Sequence, residues 1–250
     1  MNLILIFYFF LIGLVFGSFF NVVGFRIPKR SFFRHHRSHC PSCDNQLSWQ
    51  DLIPVLSYFH LKGKCRYCHT SISIIYPFVE LFTGSLFAYS YNIFGLTLEL
   101  FTALLLISLF SIIFVSDMAY MHIPDKVLLV FFILFLVLRI FQPMVSWGNA
   151  FLGGIFGIVL IGMIIRLSNG GMGAGDMKLF GIIGFIMGIE GLMVSFFLSV
   201  ISGACLGMVL MLSGKASRSH PIPFAPFIIF GSLTAFFYSD KILLWYIGFF

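Results

Sequence analysis

Long runs of apolar residues, separated by short polar stretches, dominate this chain. Eight runs are almost free of charge: 1–24, 74–95, 98–116, 127–141, 150–167, 177–189, 191–212 and 224–238. A helix needs about 20 residues to span roughly 30 Å of hydrocarbon, and several of these runs are that long. The shorter runs can span only if flanking residues extend them. The pattern therefore predicts an all-α polytopic membrane protein with about eight transmembrane helices.

The composition agrees with helices that face lipid. The 250 residues are 60% hydrophobic and 10% charged, whereas a soluble domain has about 25% charged residues. No basic residue precedes the first run, while Arg26 and Lys29 follow it. We therefore expect a retained first span rather than a cleaved signal peptide.

One polar segment with many basic residues interrupts the apolar pattern. We expect a first transmembrane helix over residues 1–24, a cytoplasmic basic insert over 25–75, and a polytopic membrane domain over 76–250. Of 15 Lys and Arg residues, eight lie between Arg26 and Arg66. With eight spans, Arg139 and Lys241 are the two basic residues left for the opposite side, so the positive-inside rule places the insert in the cytoplasm. Membrane topology thus explains the positive charge, and no nucleic-acid partner is expected.

Four cysteines of the insert form two C-x-x-C pairs, Cys40 with Cys43 and Cys65 with Cys68. Two such pairs at this separation are typical of a closed tetrahedral zinc site, and the cytoplasm disfavours disulfides. Because four thiolates leave no open coordination position, we expect structural zinc, with reduced thiols or a redox pair as the alternative. Cys205, in an apolar run, is expected to be a small core residue. The nearby histidines are expected to be solvated: His35, His36, His39 and His69.

Carboxylates are scarce, and two of them stand at the ends of apolar runs. Asp117 follows the run 98–116, and Asp176 lies in the sequence Gly173-Ala174-Gly175-Asp176. Ionisable groups at such positions are costly and are candidates for a functional site. Two carboxyl groups that share a proton can hydrolyse a peptide, since one activates water while the other polarises the carbonyl. Gly173 and Gly175 would let the backbone approach a substrate and turn into a helix.

Other interpretations of these carboxylates remain open at this point. Asp176 could be a helix cap, Asp117 could be a solvated interfacial residue, and Asp125 has the position of a helix-start residue. A small ion-coupled transporter could use the two aspartates as a relay, although no internal repeat is visible. A non-catalytic assembly scaffold and a presenilin-type intramembrane protease are the remaining alternatives.

The motifs, taken together, resemble those of the type IV prepilin peptidases along nearly the whole chain. The matching segments are Gly17-Ser18-Phe19-Phe20-Asn21, Arg26-Ile27-Pro28, the four cysteines, Leu47-Ser48-Trp49, Ile53-Pro54-Val55-Leu56, Tyr76-Pro77 with Glu80, Asp117 with Ile123-Pro124-Asp125, Gly173 to Lys178, and Pro223-Phe224-Ala225-Pro226-Phe227. Two departures are Asp44, where the family commonly has Gly, and Gly24, where members often have a larger apolar residue.

The resemblance implies a membrane aspartyl endopeptidase of the Gly-x-Gly-Asp type, with Asp117 and Asp176 catalytic and Gly173, Gly175 and Lys178 supporting them. It implies prepilin or pseudopilin substrates of pilus, secretion and competence systems, cleaved after a basic leader at the cytoplasmic face of the inner membrane. Many family members also methylate the new N-terminal residue with S-adenosylmethionine, so we expect a bifunctional enzyme. We add the hypothesis that Glu80 contacts the basic leader.

Overall fold

The structure is a computed structural model that describes residues 2–29, 38–168, 171–213 and 223–248. His35 and His36 lie outside the described residues, and so do five of the basic residues counted above: Arg30, Arg34, Arg37, Lys215 and Arg218. The helices are α1 Leu3–Arg26, a 3-10 helix Trp49–Leu52, α2 Leu56–His60, α3 Ile75–Phe94, α4 Leu98–Tyr120, α5 Asp125–Phe141, α6 Trp147–Leu167, α7 Ala174–Leu212 and α8 Ala225–Ile247. Within those ranges the only extended pairings are two isolated bridges, so the all-α prediction is confirmed.

The chain divides into two compact units, Met1–Tyr120 and Met121–Phe250. In the first unit, α1, α3 and α4 pack against one another through small residues. A Cβ on Gly13 would lie 2.7 Å from the Cα of Gly84, and one on Gly24 would lie 2.6 Å from the Cβ of Val115. Inside a membrane, small residues allow helix backbones to approach closely and to gain dispersion contacts. The glycines in these helices are therefore packing positions.

In the second unit, α7 is a helical hairpin. Its φ and ψ are not helical at Gly188, at 72° and −173°, in a region that favours glycine. The rings of Phe180 and Phe196 lie 6.0 Å apart, although sixteen residues of straight helix would separate them by about 24 Å along the axis. The chain therefore folds back at Gly188, and the two arms of α7 pack side by side.

Neighbouring side chains bind the backbone groups that this turn frees. Arg139, which is 5% exposed, donates from Nη1 to the Phe185 carbonyl at 3.2 Å. The Asn149 Oδ1 accepts the Ile189 N–H at 3.1 Å. An unsatisfied backbone group in lipid costs several kcal/mol, so these two contacts allow the break to lie within an apolar protein.

The helices have the length and surface of membrane spans. Five of them are long and apolar enough to cross a bilayer, namely α1, α4, α6, α7 and α8. When α3 and α5 are added and the two arms of α7 are counted separately, the described residues contain eight long helical segments. The apolar runs predict the same number. Large apolar side chains point outward, including Ile155 at 60% exposed and Phe230 at 57%. The chain is a multi-pass membrane protein.

The prediction that Cys205 is a core residue is wrong. Its side chain is exposed on the second arm of α7. An apolar run indicates burial in protein or in lipid, and hydrophobicity alone does not distinguish the two in a membrane helix.

Candidate functional site

The two C-x-x-C pairs form two loops with the same hydrogen-bond pattern, here called knuckles. In the first knuckle the Cys40 N–H donates to the Asn45 carbonyl at 3.0 Å, and in the second the Cys65 N–H donates to the Thr70 carbonyl at 2.9 Å. The residue before each pair forms an antiparallel bridge with the residue six positions after the first cysteine, His39 with Gln46 and Lys64 with Ser71. The insert thus contains a short structural repeat that the sequence analysis did not detect.

The repeat brings the four cysteine sulfurs to one point. All four Sγ atoms lie within 4.8 Å of one another, and the Sγ atoms of Cys40 and Cys68 are 3.8 Å apart. A tetrahedral zinc ion with Zn–S bonds of about 2.3 Å places its sulfurs roughly 3.8 Å apart, whereas a disulfide needs about 2.05 Å. The sulfur geometry therefore fits a tetrahedral metal ion and no disulfide.

The second knuckle also favours the thiolate form of a metal ligand. Hydrogen bonds from the side chain and backbone N–H of Thr70 lower the pKa of the Cys68 thiol to about 6, and the Thr70 hydroxyl oxygen lies 3.2 Å from the Cys68 Sγ. Metal binding requires deprotonated cysteine, so the lowered pKa of Cys68 favours it as a metal ligand.

Each knuckle places the residue after its second cysteine in the left-handed region. Asp44 has a φ of 59° and His69 a φ of 57°. Glycine adopts this conformation without strain, and Asp and His are among the side chains that tolerate it best. Asp44 and His69 thus allow each turn at a small conformational cost.

Asp51 connects the 3-10 helix to the second knuckle. Its Oδ1 accepts from the Nε of Arg66 at 2.8 Å, and its Oδ2 accepts from the Ser48 N–H at 3.0 Å. Burial raises the pKa of Asp51, but the hydrogen bonds from Ser48 and the Arg66 charge outweigh it and lower that pKa overall. Since both carboxylate oxygens have internal partners, Asp51 is a structural residue of the insert.

Glu80 connects the insert to α3. Its side chain is buried, with 7% of the residue exposed. One carboxylate oxygen accepts the Val55 N–H at 2.7 Å, and the Ser18 hydroxyl of α1 is also hydrogen-bonded to the carboxylate. Val55 has a φ of 63° and a ψ of −52°, and the Leu56 N–H donates to the Pro54 carbonyl at 2.6 Å.

These dihedrals define a γ-turn of the rare, strained kind, in a β-branched residue that seldom has a positive φ. Glu80 therefore anchors a strained turn of the insert to the membrane helices. Contact between Glu80 and a basic leader stays a prediction. In the structure, the Glu80 carboxylate has the Val55 N–H as an internal partner.

The two predicted catalytic aspartates lie in different units, and both are buried. Asp117 is in the last turn of α4 and is 7% exposed, and Asp176 is in the first turn of α7 and is 8% exposed. The Asp176 Oδ2 accepts the Gly173 N–H at 3.0 Å, so its carboxylate binds a backbone donor at the helix start. A carboxylate in this position interacts favourably with the helix dipole.

Gly175 and Lys178 flank Asp176 and have defined contacts within the second unit. A Cβ on Gly175 would lie 2.8 Å from the Cβ of Ile123, so only glycine fits there without a shift. The Lys178 Nζ donates to the Asp125 Oδ1 at 2.7 Å. Asp125 is the first residue of α5, as the sequence predicts, and its ion pair joins the starts of α5 and α7.

These features define a class of protein, namely a multi-pass membrane protein that has four cysteines able to hold a metal ion and buried aspartates at helix ends. A family model described as the bacterial peptidase A24 N-terminal domain matches residues 11–94. A second, described as the type IV leader peptidase family, matches residues 104–208. No solved structure matches the chain.

Curated relatives match over nearly their whole length. A prepilin leader peptidase/N-methyltransferase of Bacillus subtilis is 41% identical over 238 residues, which cover 95% of this chain and 96% of the relative. Proteins with the same name in Stutzerimonas stutzeri and Vibrio cholerae are 32% and 31% identical, covering 95% and 91% of this chain and 92% and 94% of the relatives. The chain belongs to the type IV leader peptidase family and is an enzyme of that family.

Proposed function

We propose that this enzyme cleaves the basic leader peptide of type IV prepilins or pseudopilins and then methylates the new N-terminal residue. The observation that carries the proposal is the end-to-end similarity to proteins named prepilin leader peptidase/N-methyltransferase, at 41% identity in one case. The buried aspartates and the four-cysteine cluster, which the name does not specify, support it independently.

Asp117 and Asp176 are the proposed catalytic carboxylates. One takes a proton from the attacking water, and the other donates a proton to the oxygen of the scissile carbonyl. As the C–N bond breaks, the first carboxyl group passes the proton it gained to the departing amine, and the second regains its proton from a hydroxyl of the tetrahedral intermediate, which leaves both groups ready for another cycle.

Gly173, Gly175 and Lys178 are proposed to support Asp176. The Gly173 N–H holds one carboxylate oxygen, and Gly175 allows α7 to begin against Ile123. Lys178 is paired with Asp125, which links the helix that carries Asp176 to the start of α5. This arrangement would fix the direction of the Asp176 carboxylate before a substrate binds.

The four cysteines of the insert are proposed to hold a structural zinc ion. The sulfur distances support this role, and four protein ligands would leave no position for a substrate. The zinc would supply folding energy to an insert with little apolar core. We further propose that the insert and the cleavage site lie on the cytoplasmic side of the inner membrane, as the basic residues predict.

Cleavage by aspartate variants tests the proposal. A purified prepilin with its leader is incubated with the full-length enzyme in nanodiscs, and the shortened product is detected by mass spectrometry. Asp117→Asn and Asp176→Asn should each reduce cleavage by at least a thousandfold while the protein remains folded. Asp240→Asn, at an exposed position, is the matched control and should cleave normally. Cleavage retained by either of the first two variants would refute the catalytic assignment.

A further inference from the structure

The insert exposes several large apolar side chains, although it lies between two long apolar runs and belongs to neither. Trp49 of the 3-10 helix is 73% exposed, and Leu56 and Phe59 of α2 are 68% and 66% exposed. Leu52 and Ile53 are exposed as well. Single apolar side chains are common on protein surfaces, whereas a cluster of them marks an interaction site. The segment 49–59 is therefore a candidate interaction surface.

Helix geometry groups four of these side chains. Trp49 and Leu52 are three residues apart in the 3-10 helix, where side chains at that spacing eclipse each other. Leu56 and Phe59 are three residues apart in α2 and share one face of that helix. The two short helices contact each other. We call these four side chains the apolar face of the insert.

The other side of α2 faces protein. Ser57 and Tyr58 line a cavity that Phe25 and Tyr76 also line, at the ends of α1 and α3. A helix on the surface of a water-soluble module turns its apolar side to protein and its polar side to water. In α2, two large apolar side chains instead point away from the described part of the first unit. The apolar face is therefore suited to an apolar environment outside the chain.

Hydrogen bonds fix the height of this face along the membrane helices. Val55, the residue before α2, donates its N–H to Glu80 in the second turn of α3, and Ser18 of α1 is hydrogen-bonded to the same carboxylate. The next residues along α1 and α3, Phe19 and Leu81, are both exposed at this height. Exposed apolar side chains of membrane helices face lipid. The bilayer therefore reaches the level at which α2 begins.

Residues beside the apolar face also suit a membrane surface. Tryptophan, here Trp49, is enriched between hydrocarbon and headgroups because its ring is apolar and its N–H is polar. Lys62 and Lys64 follow α2 and are exposed, and lysines next to a bilayer are attracted to anionic headgroups. A bilayer surface thus matches both the apolar side chains and the charge that follows them.

A prepilin and a second copy of the enzyme are the other candidates to cover this face. Either would have to approach at a level where lipid already surrounds α1 and α3. Lipid needs no such displacement, because it is present at the height of Val55. The position of the apolar face therefore favours lipid over a protein partner.

We propose that the apolar face of the insert lies in the interfacial region of the bilayer, so that the insert rests on the membrane as well as on α3. Trp49, Leu56 and Phe59 enter the boundary between headgroups and acyl chains, where interfacial helices bury their apolar side by about 5 to 10 Å. Lys62 and Lys64 lie among the headgroups. The inference goes beyond the proposed function, since it depends on neither cleavage nor methyl transfer.

Fluorescence of Trp49 tests this arrangement in the full-length, zinc-loaded enzyme. The chain has three tryptophans, so Trp147→Phe combined with Trp245→Phe leaves Trp49 as the fluorophore. The enzyme is placed, one copy per disc, in nanodiscs of phosphatidylcholine and phosphatidylglycerol, with or without lipids brominated on the upper part of their acyl chains. Brominated lipid should lower Trp49 emission at least twofold. Acrylamide, a quencher dissolved in water, should act at least twofold more weakly than on tryptophan in an unfolded peptide.

Two further samples calibrate this measurement. A variant that keeps only Trp245, which is exposed in the last turn of α8, gives the bromine quenching of a tryptophan on a membrane span. If the combined Trp147→Phe and Trp245→Phe enzyme has a lowered melting temperature, the difference in emission between the unmodified enzyme and Trp49→Phe reports on Trp49 instead.

Charges placed on the apolar face test which residues hold it in the bilayer. Leu56→Glu should lower the bromine quenching of Trp49 at least twofold, because a carboxylate is costly in an apolar environment. Phe59→Glu should have the same effect and replaces Leu56→Glu if that variant does not fold. Gln50→Glu adds the same charge at an exposed position, about 120° around the 3-10 helix from Trp49, and should leave the quenching unchanged. Zinc content and melting temperature show whether each variant is folded.

Several results would overturn the proposal. Strong acrylamide quenching of Trp49 without bromine quenching would place the face in water, and weak quenching by both reagents would mean that protein covers it. If a prepilin has to be added before acrylamide is excluded, the face is a substrate surface. Bromine quenching that Leu56→Glu and Phe59→Glu both leave unchanged would remove α2 from the contact. Loss of prepilin cleavage by the unmodified enzyme would refute the proposed function and leave these results unaffected.

Discussion

The contact between Glu80 and Val55 gives a sharp test of how the insert is attached to the membrane helices. Glu80→Ala removes the acceptor of a 2.7 Å hydrogen bond from the Val55 N–H. A buried donor left without a partner costs about 1 to 3 kcal/mol. The strained turn at Val55, which stores roughly 1 to 3 kcal/mol, would then relax away from α3. We expect local opening of this turn to become easier by about 2 kcal/mol.

Glu80→Gln separates the hydrogen bond from the charge. The amide oxygen of glutamine can still accept the Val55 N–H, but a bond to a neutral acceptor contributes about 1 kcal/mol less than one to a charged acceptor. Since 1 to 2 kcal/mol corresponds to factors of roughly 5 to 30 in a population, exchange of the Val55 amide should accelerate about fivefold in Glu80→Gln and about thirtyfold in Glu80→Ala.

Hydrogen exchange followed by mass spectrometry on peptides that contain Val55 provides the measurement. Glu190→Gln, at an exposed position, is the control for loss of one carboxylate. Equal exchange in Glu80→Ala and the unmodified enzyme would refute the role of Glu80 as an anchor. A Glu80→Gln enzyme with normal exchange but a higher KM for a basic leader would instead support direct contact between Glu80 and the leader.

Three further changes test the zinc module and the helix packing. Cys65→Ser should lower bound zinc to well below one ion per chain and make the insert sensitive to protease. Cys205→Ser, at an exposed cysteine, should change neither the zinc content nor the protease sensitivity. A full zinc content in Cys65→Ser would exclude four-thiolate binding. Asp44→Gly should slow the loss of zinc to a chelator. Glycine adopts the positive φ of 59° without strain, so the knuckle should be more stable by about 0.5 to 1 kcal/mol. Faster loss of zinc would contradict this. Gly153→Ala places a Cβ 2.5 Å from a backbone carbonyl oxygen of α7 and should destabilise the second unit by about 1 to 3 kcal/mol. Gly148→Ala, with nothing within 4 Å in the same helix, should be neutral or stabilising in the same thermal unfolding assay.

The helices could be predicted because each corresponds to an unbroken apolar stretch of sequence. The run 127–141 became α5, Asp125–Phe141, and the runs on either side of Glu190 became the two arms of α7. The four cysteines were equally accessible to prediction, since their spacing specifies a common ligand set. Local sequence determines both features.

The contacts that join distant segments could not be predicted in the same way. The hydrogen bond from Val55 to Glu80 spans 25 residues, and the ion pair of Lys178 with Asp125 spans 53. A charged residue in an apolar chain is expected to have a polar partner. Which residue is the partner depends on how the helices pack. The outward position of Cys205 was missed for a related reason, because lipid and protein core select the same side chains.

The two knuckles also determine which face of the insert a metal ion can leave from. The first cysteine of each pair, Cys40 and Cys65, is buried, at 6% and 3% exposed, while Cys43 and Cys68 are partly exposed. An ion held by these sulfurs has two inner and two outer ligands. Chelators and oxidants would therefore reach the outer pair first, and exchange of the ion would not require the insert to separate from α3. The attachment of the insert through Val55 and the exchange of its metal through Cys43 and Cys68 thus depend on different residues of one small module.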